Sequence, residues 1–146
     1  MALNSTDFLA DLSAALDPPG LLLPGDDLSR FEKEWRGRFS SRPLAVARPL
    51  DTVMLAKVVA CCQKYRVGMV PQGGNTGLVG GAVARGERRE LIISLERMRR
   101  IRTLNAESAC IVVEAGCSLG EASRCAEREG FRLPLALASG DSATIG

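Results

Sequence analysis

Histidine is missing from all 146 residues. Its absence removes Ser-His-Asp and Cys-His catalysis and argues against a zinc site. Aromatic residues are scarce, at 4%, so few rings are available to stack nucleobases. A net charge of +2 is only weakly basic and is not the footprint of a nucleic-acid binder. No apolar run reaches the roughly 18 residues that a membrane span needs. The stretch from Met1 to Leu16 carries Asp7 and Asp11 with no basic n-region, so it does not read as a signal peptide. The expected compartment is therefore the cytoplasm. C-x-x-C pairs are also absent. Cys61, Cys62, Cys110, Cys117 and Cys125 are odd in number and read as small hydrophobes kept reduced.

What is present is ordinary globular material, 46% hydrophobic and 25% charged, enough for one domain with a core. Residues 1–42 read as an N-terminal helical arm. Phe8, Leu12 and Leu16 have helical spacing, with Thr6 or Asp7 as a cap, and Pro18-Pro19-Gly20 stops that helix. Pro24 to Asp27 reads as a turn. A second short helix is expected over Leu28 to Trp35, which would put Phe31 and Trp35 on one face.

From Pro43 the pattern changes. Leu44 to Pro49 reads as a short strand. Asp51 can cap a helix from Thr52 to Tyr65 whose buried stripe is Leu55, Val58, Val59 and Cys62. Arg66 to Val70 starts a second strand, making a β-α-β unit with parallel strands. Leu91 to Leu95 is apolar enough to be a central strand, and Glu96 to Arg102 reads as a basic connection. Cys110 to Gly116 is a fourth strand. Ser118 can cap a last helix, Leu119 to Glu129, with Leu119, Ala122 and Ala126 inward and Gly130 as the stop. Glu114 could point inward, but by alternation it is expected to face solvent, as is Glu121. Arg97, Arg99, Arg100 and Arg102 read as a solvated basic edge or turn, with an anion site as the alternative.

The informative stretch is Gln72 to Gly81, which follows a strand and holds five glycines in ten residues. Glycine costs conformational entropy, so a cluster needs a reason. One reason is close backbone approach to an anion: without Cβ atoms, successive N–H groups can turn inward and form a nest. No Lys or Arg lies between Gln72 and Ala84, so the loop itself would hold a phosphate by amide dipoles. The other reading is a mobile surface turn. The G-x-G-x-x-G fingerprint and the Gly-Lys-Ser/Thr pattern are both absent.

Pro71-Gln72-Gly73-Gly74-Asn75-Thr76-Gly77-Leu78-Val79-Gly80-Gly81 resembles the flavin-binding loop of the FAD-linked oxidases related to vanillyl-alcohol oxidase and p-cresol methylhydroxylase. Within that superfamily it is most similar to the D-2-hydroxy-acid dehydrogenase and glycolate oxidase flavoprotein branch. Val46 to Pro49, Leu91 to Met98, Val112 to Gly116 and Ser142 to Gly146 resemble further parts of the same domain, in the right order. The resemblance implies an α/β FAD-binding domain of the p-cresol methylhydroxylase type over residues 43–146, comprising the N-terminal subdomain and an incomplete start of the second. Gly73, Gly74, Asn75, Thr76, Gly77 and Leu78 would wrap the pyrophosphate, with Gly81 and Ala82 nearby. Ser142, Thr144 and Gly146 would approach from the other side. Some relatives bind FAD covalently through a histidine where this chain has Asn75, so non-covalent FAD is expected.

The resemblance implies a full-length reaction in which a D-2-hydroxy acid becomes a 2-oxo acid by hydride transfer to flavin N5. The base and carboxylate clamp of relatives lie beyond Gly146, so no catalytic residue is assigned. A truncated domain is the expectation, either an inactive fragment or a module that completes its FAD site with another chain. Uncovered apolar surface on the third strand and last helix would then make the chain marginal or self-associating. Asp141 stands where relatives often carry glycine, and its charge would repel a pyrophosphate by roughly 1 kcal/mol if solvated.

Overall fold

The structure, a computed structural model, describes residues 5–86 and 89–146. Among the described residues, three α-helices, α1 (Ser5–Ala15), α2 (Thr52–Tyr65) and α3 (Leu119–Arg128), and one short 3-10 helix at Pro18–Gly20 accompany six strands. The strands are β1 (Leu21–Leu22), β2 (Val46–Ala47), β3 (Gly68–Gln72), β4 (Glu90–Ser94), β5 (Ile101–Asn105) and β6 (Cys110–Val113).

The first four strands form one sheet in the order β1-β2-β4-β3, with β1 antiparallel and the other three parallel. The strands on either side of α2 are thus parallel within one sheet, but β4 lies between them. Burial explains the order: all five residues of β4 are buried, and a strand apolar on both faces belongs in the middle. β3 takes the edge, where the missing N–H of Pro71 costs no ladder bond. β4 separates two cores. Leu91 and Ile93 join Ala45, Ala47, Val58 and Cys62 beneath α1 and α2. Ile92 and Val46 face the other way, toward Leu28, Phe31 and Val70. Strand alternation by two produces this split, and it corrects the expectation of uncovered apolar surface on the third strand.

α2 forms because its start is fixed locally. The Asp51 carboxylate accepts the Met54 N–H at 2.8 Å, and Arg66 ends the helix in the left-handed region at φ 54°. Its buried face is centred on Val58, Cys61 and Cys62, with Leu55 packed at the margin. α1 already includes Ser5, so neither Thr6 nor Asp7 precedes it as a cap. Phe8 and Leu12 are buried as their spacing predicts.

The helix expected over Leu28 to Trp35 is not there. The chain makes turns instead, closed by an antiparallel bridge between Lys33 and Ser40. The buried Glu34 carboxylate accepts the N–H groups of Arg36 at 2.5 Å and Arg38 at 2.7 Å, a local alternative to helical bonding. Phe31 is 2% exposed and Trp35 81%, so the two rings do not share a face.

β5 begins at the end of what reads as a basic connection, Glu96 to Arg102, and runs on to Asn105. It pairs antiparallel with β6 around a turn in which the Asn105 side chain accepts the Ser108 N–H. Two apolar residues separated by two polar ones, Ile101-Arg102-Thr103-Leu104, carry no period-2 signal, which is why the strand escapes a sequence reading. α3 begins with a reciprocal capping box: Ser118 Oγ accepts the Glu121 N–H, and Glu121 Oε2 accepts the Ser118 N–H. Glu121 is therefore half-buried and engaged rather than a free surface carboxylate. Leu119, Ala122 and Ala126 face inward, and Gly130 ends the turn at φ 79°.

Candidate functional site

The glycine loop leaves β3 at Gln72, and that side chain is its clasp. Gln72 is 3% exposed. Its Nε2 donates to the Ala82 carbonyl at 2.8 Å and to Phe31 O at 3.2 Å. One amide thereby ties the loop's start to its end and to the N-terminal segment. From Gly73 to Ala82, no main-chain N–H donates to another described residue. These amides are not consumed by sheet pairing. Asn75 sits in the left-handed region at φ 51°, where Asn is tolerated. Its Nδ2 donates to Lys33 O at 2.9 Å, while Oδ1 is buried with no partner.

The second predicted segment packs directly on this loop. A Cβ at Gly74 would lie 1.7 Å from Ser142 O, and one at Gly73 would lie 2.1 Å from Thr144 Oγ1. These two glycines are required by a close approach between loop and segment. The segment is held in turn by Leu119 N–H to Ala143 O, Ile145 N–H to Cys117 O and Gly146 N–H to Ala115 O, each at 2.9 Å. The Gly146 amide is therefore already used, and the segment offers the Ser142 side chain and the Thr144 hydroxyl oxygen, whose own O–H donates to Gly146 O at 3.1 Å.

An open cleft of about 630 Å³ lies where loop and segment meet. Gly73, Gly74, Asn75, Ser142 and Thr144 line it. Thr76 and Leu78 line a second cavity beside it. Gly77, Gly81, Ala82 and Gly146 line neither. Of these, Gly77 and Gly81 would meet no atom within 4 Å of an added Cβ.

Fixed charge does reach the cleft, from outside the loop. Arg30, Arg99 and Arg124 line it together with Glu96, Glu121 and Asp141. Arg30 pairs with Glu96 at 2.7 Å, and Arg124 with Asp141 at 3.3 Å. Arg99 makes no salt bridge to a described residue. Asp141 is 88% exposed at its side chain, so its charge is screened as well as paired. Arg30, Arg124 and Gln72 do not stand out in sequence as site residues, and Arg99 stands out only as part of a basic cluster read mainly as a solvated edge. The arginines come from separate segments and meet only in the fold, and the one available signal for Gln72 was its place at the strand-to-loop junction.

The expected basic edge is not one cluster. Arg97 makes a two-pronged pair with Asp17 at 2.8 and 2.6 Å. Arg100 and Arg102 both face Glu114, at 3.4 and 3.3 Å. Glu114 points inward and is 5% exposed. The Arg100 N–H, then the two guanidinium charges, hold its carboxyl below the ordinary 4.5. Glu34 is lowered too, first by the Arg36 N–H. A carboxylate with a depressed folded pKa stabilises the fold above its unfolded value and loses that effect as pH falls through the folded one. The melting temperature should therefore fall as pH drops below about 4.5. Glu114→Gln should lower it by a few degrees at pH 7 and flatten that acid slope. Scanning melts across pH check both outcomes.

None of the five cysteines lines the cleft. Cys61, Cys62 and Cys117 are buried, and burial pushes the Cys62 thiol up to about 11, so these are packing residues. Among the described residues, no helix is long and apolar enough to cross a membrane, and no cluster of three or more potential metal ligands occurs.

Comparison with known proteins identifies the domain. The chain belongs to the FAD binding domain family, whose model matches residues 43–146, and its cofactor is FAD. Over 144 residues it is 35% identical to a probable mitochondrial D-2-hydroxyglutarate dehydrogenase of Oryza sativa subsp. indica, covering 99% of this chain and 25% of that protein. It is 36% identical over 120 residues to a D-2-hydroxyglutarate dehydrogenase of Xanthomonas citri pv. viticola, covering 82% of this chain and 25% of that one. The chain thus spans about a quarter of the length of these relatives. Among solved structures, an alkyldihydroxyacetonephosphate synthase superposes with a TM-score of 0.82 at 23% identity, covering 97% of this chain and 28% of that one. p-Cresol methylhydroxylase with substrate bound superposes at 0.78 and 19% identity, covering 95% and 28%. These likenesses establish the fold, an α/β FAD-binding domain of the p-cresol methylhydroxylase type.

Proposed function

We propose that this chain supplies the diphosphate-gripping part of the FAD site in a D-2-hydroxy-acid dehydrogenase, with D-2-hydroxyglutarate the first substrate to test in the whole enzyme. The observation that carries this reading is the set of loop amides from Gly73 to Gly77. They donate to no other described residue, are clasped by Gln72 and are braced on Ser142 and Thr144. Amides held in this way bind a diphosphate without reorganisation, as preorganised dipoles do. Arg30, Arg99 and Arg124 add charge at the cleft. Thr76, Leu78, Gly81 and Ala82 complete the loop, and Gly146 anchors the opposing segment through Ala115. When bound, FAD supplies hydride acceptance for conversion of a 2-hydroxy acid to a 2-oxo acid. The residues described here position and neutralise, and none is assigned to catalysis.

FAD is held non-covalently in this reading. The chain has no histidine, the Asn75 side chain is committed to Lys33, and no cysteine reaches the cleft. We further propose residues 1–42 as an arm on the domain of residues 43–146, in a reducing compartment such as the cytoplasm. Leu135, Leu137 and Ile145 are 57%, 58% and 44% exposed, which supports self-association or completion of the site by another chain. Equilibrium dialysis of the purified chain against FAD tests the central proposal. Saturable uptake of one FAD per chain, released by acid or heat denaturation, is expected. Lack of uptake by a folded chain contradicts the proposal that this chain by itself grips the diphosphate, and FAD that stays attached after denaturation contradicts the non-covalent form.

A further inference from the structure

The second cavity, about 440 Å³, is built differently from the first. Trp35, Arg36, Thr76, Leu78, Ser139 and Ser142 surround it. Ser142 borders both cavities, and Thr76 follows Asn75, so the two spaces flank one turn of the glycine loop. The first space is rich in arginine; the second is walled by the chain's single tryptophan.

That tryptophan is exposed on a rigid support. Its neighbour Glu34 is 3% exposed and binds the N–H groups on both sides of the Gly37 turn. The Glu34 N–H donates to Phe39 O at 3.2 Å, the Lys33–Ser40 bridge closes the base, and Asn75 ties Lys33 to the loop at 2.9 Å. A segment with this many constraints nevertheless leaves Trp35 81% exposed. An indole is a large apolar surface to leave in water, and here it is presented beside a diphosphate-type loop.

We propose that Trp35 is a wall of the cofactor site against which one aromatic ring system of the dinucleotide packs. This inference rests on the FAD reading above and extends it to the arm, which lies outside the matched residues 43–146. A dinucleotide carries a planar ring at each end of its diphosphate. With the diphosphate on the Gly73–Gly77 amides, one ring falls on the Trp35 side of the loop. Flavin and adenine share the chemistry that an indole recognises, and the test separates them.

FAD, riboflavin 5′-phosphate and ADP are titrated separately against the wild-type chain, Trp35→Ala and Trp35→Phe. Far-UV circular dichroism and thermal melts verify the fold of each. Trp35→Ala should weaken FAD by about tenfold, within the range of ring-on-aromatic stacking, and Trp35→Phe should recover most of it. The same loss should appear with riboflavin 5′-phosphate if the flavin occupies the wall, or with ADP if adenine does. If Trp35→Ala melts early, Trp35→Leu replaces it, keeping bulk without a ring. Unchanged FAD affinity in the ring-less variant overturns the Trp35 assignment alone. A wild-type chain that is folded and binds no FAD overturns the proposal that this chain by itself grips the diphosphate and this one together.

Discussion

Gly74→Ala should lower FAD affinity by about two orders of magnitude. An added Cβ would lie 1.7 Å from the Ser142 carbonyl oxygen and 2.7 Å from its carbon. The obstacle is backbone, so no side-chain rotation relieves it. Either the loop lifts from the Ser142–Thr144 segment or the segment is displaced. Overpacking of this kind costs about 1–3 kcal/mol. If that strain is relieved by a displaced loop that no longer presents its amides, the competent fraction falls by up to about a hundredfold, and apparent affinity falls with it. Gly77→Ala is the matched comparison. Its Cβ meets open space, so fold stability should be unchanged, and any loss of FAD in that variant reports contact with the ligand itself. Isothermal titration and chemical denaturation of both variants separate the two effects. Equal, near-wild-type affinity in both would mean that the loop-to-segment contact does not shape the site.

Gln72→Leu should destabilise the fold and loosen the same loop by a different route. The substitution keeps the bulk but strands two carbonyls, those of Phe31 and Ala82. A buried acceptor left without a partner costs about 1–3 kcal/mol, so a loss of about 2 kcal/mol in urea denaturation is expected. With the clasp gone, the loop's ends are no longer tied, and FAD affinity should fall by about tenfold. Stability matching wild type would show that water replaces the clasp at no cost, and the clasp would then be incidental.

These two residues show what a sequence can and cannot disclose here. α2 was legible from end to end because its determinants are local: Asp51 at the cap and apolar residues every three or four positions. β4 was legible as the central strand because its apolar residues run without interruption, and α3 because Ser118 and its inward stripe are adjacent in sequence. The glycine loop was legible as a ligand loop through its resemblance to flavoprotein oxidases. Its close contact with Ser142 and Thr144 was not, because it joins residues about seventy positions apart. The same applies to the three cleft arginines, one from the arm, one after β4 and one on α3. The turn around Glu34 was misread as helix because its spacing of Phe31 and Trp35 is helical. One buried carboxylate, bonded to two backbone N–H groups, overrides that pattern. Glu114 and Glu121 were expected in solvent by simple alternation and exposure. Each is instead held by nearby backbone N–H groups, which no periodicity reveals.

Amide hydrogen exchange with and without FAD tests the central claim most directly. The N–H groups from Gly73 to Gly77 should exchange rapidly in the free chain, because they bond to no other described residue, and become strongly protected when FAD is bound. FAD bound at full occupancy with exchange in that stretch unchanged would contradict the account.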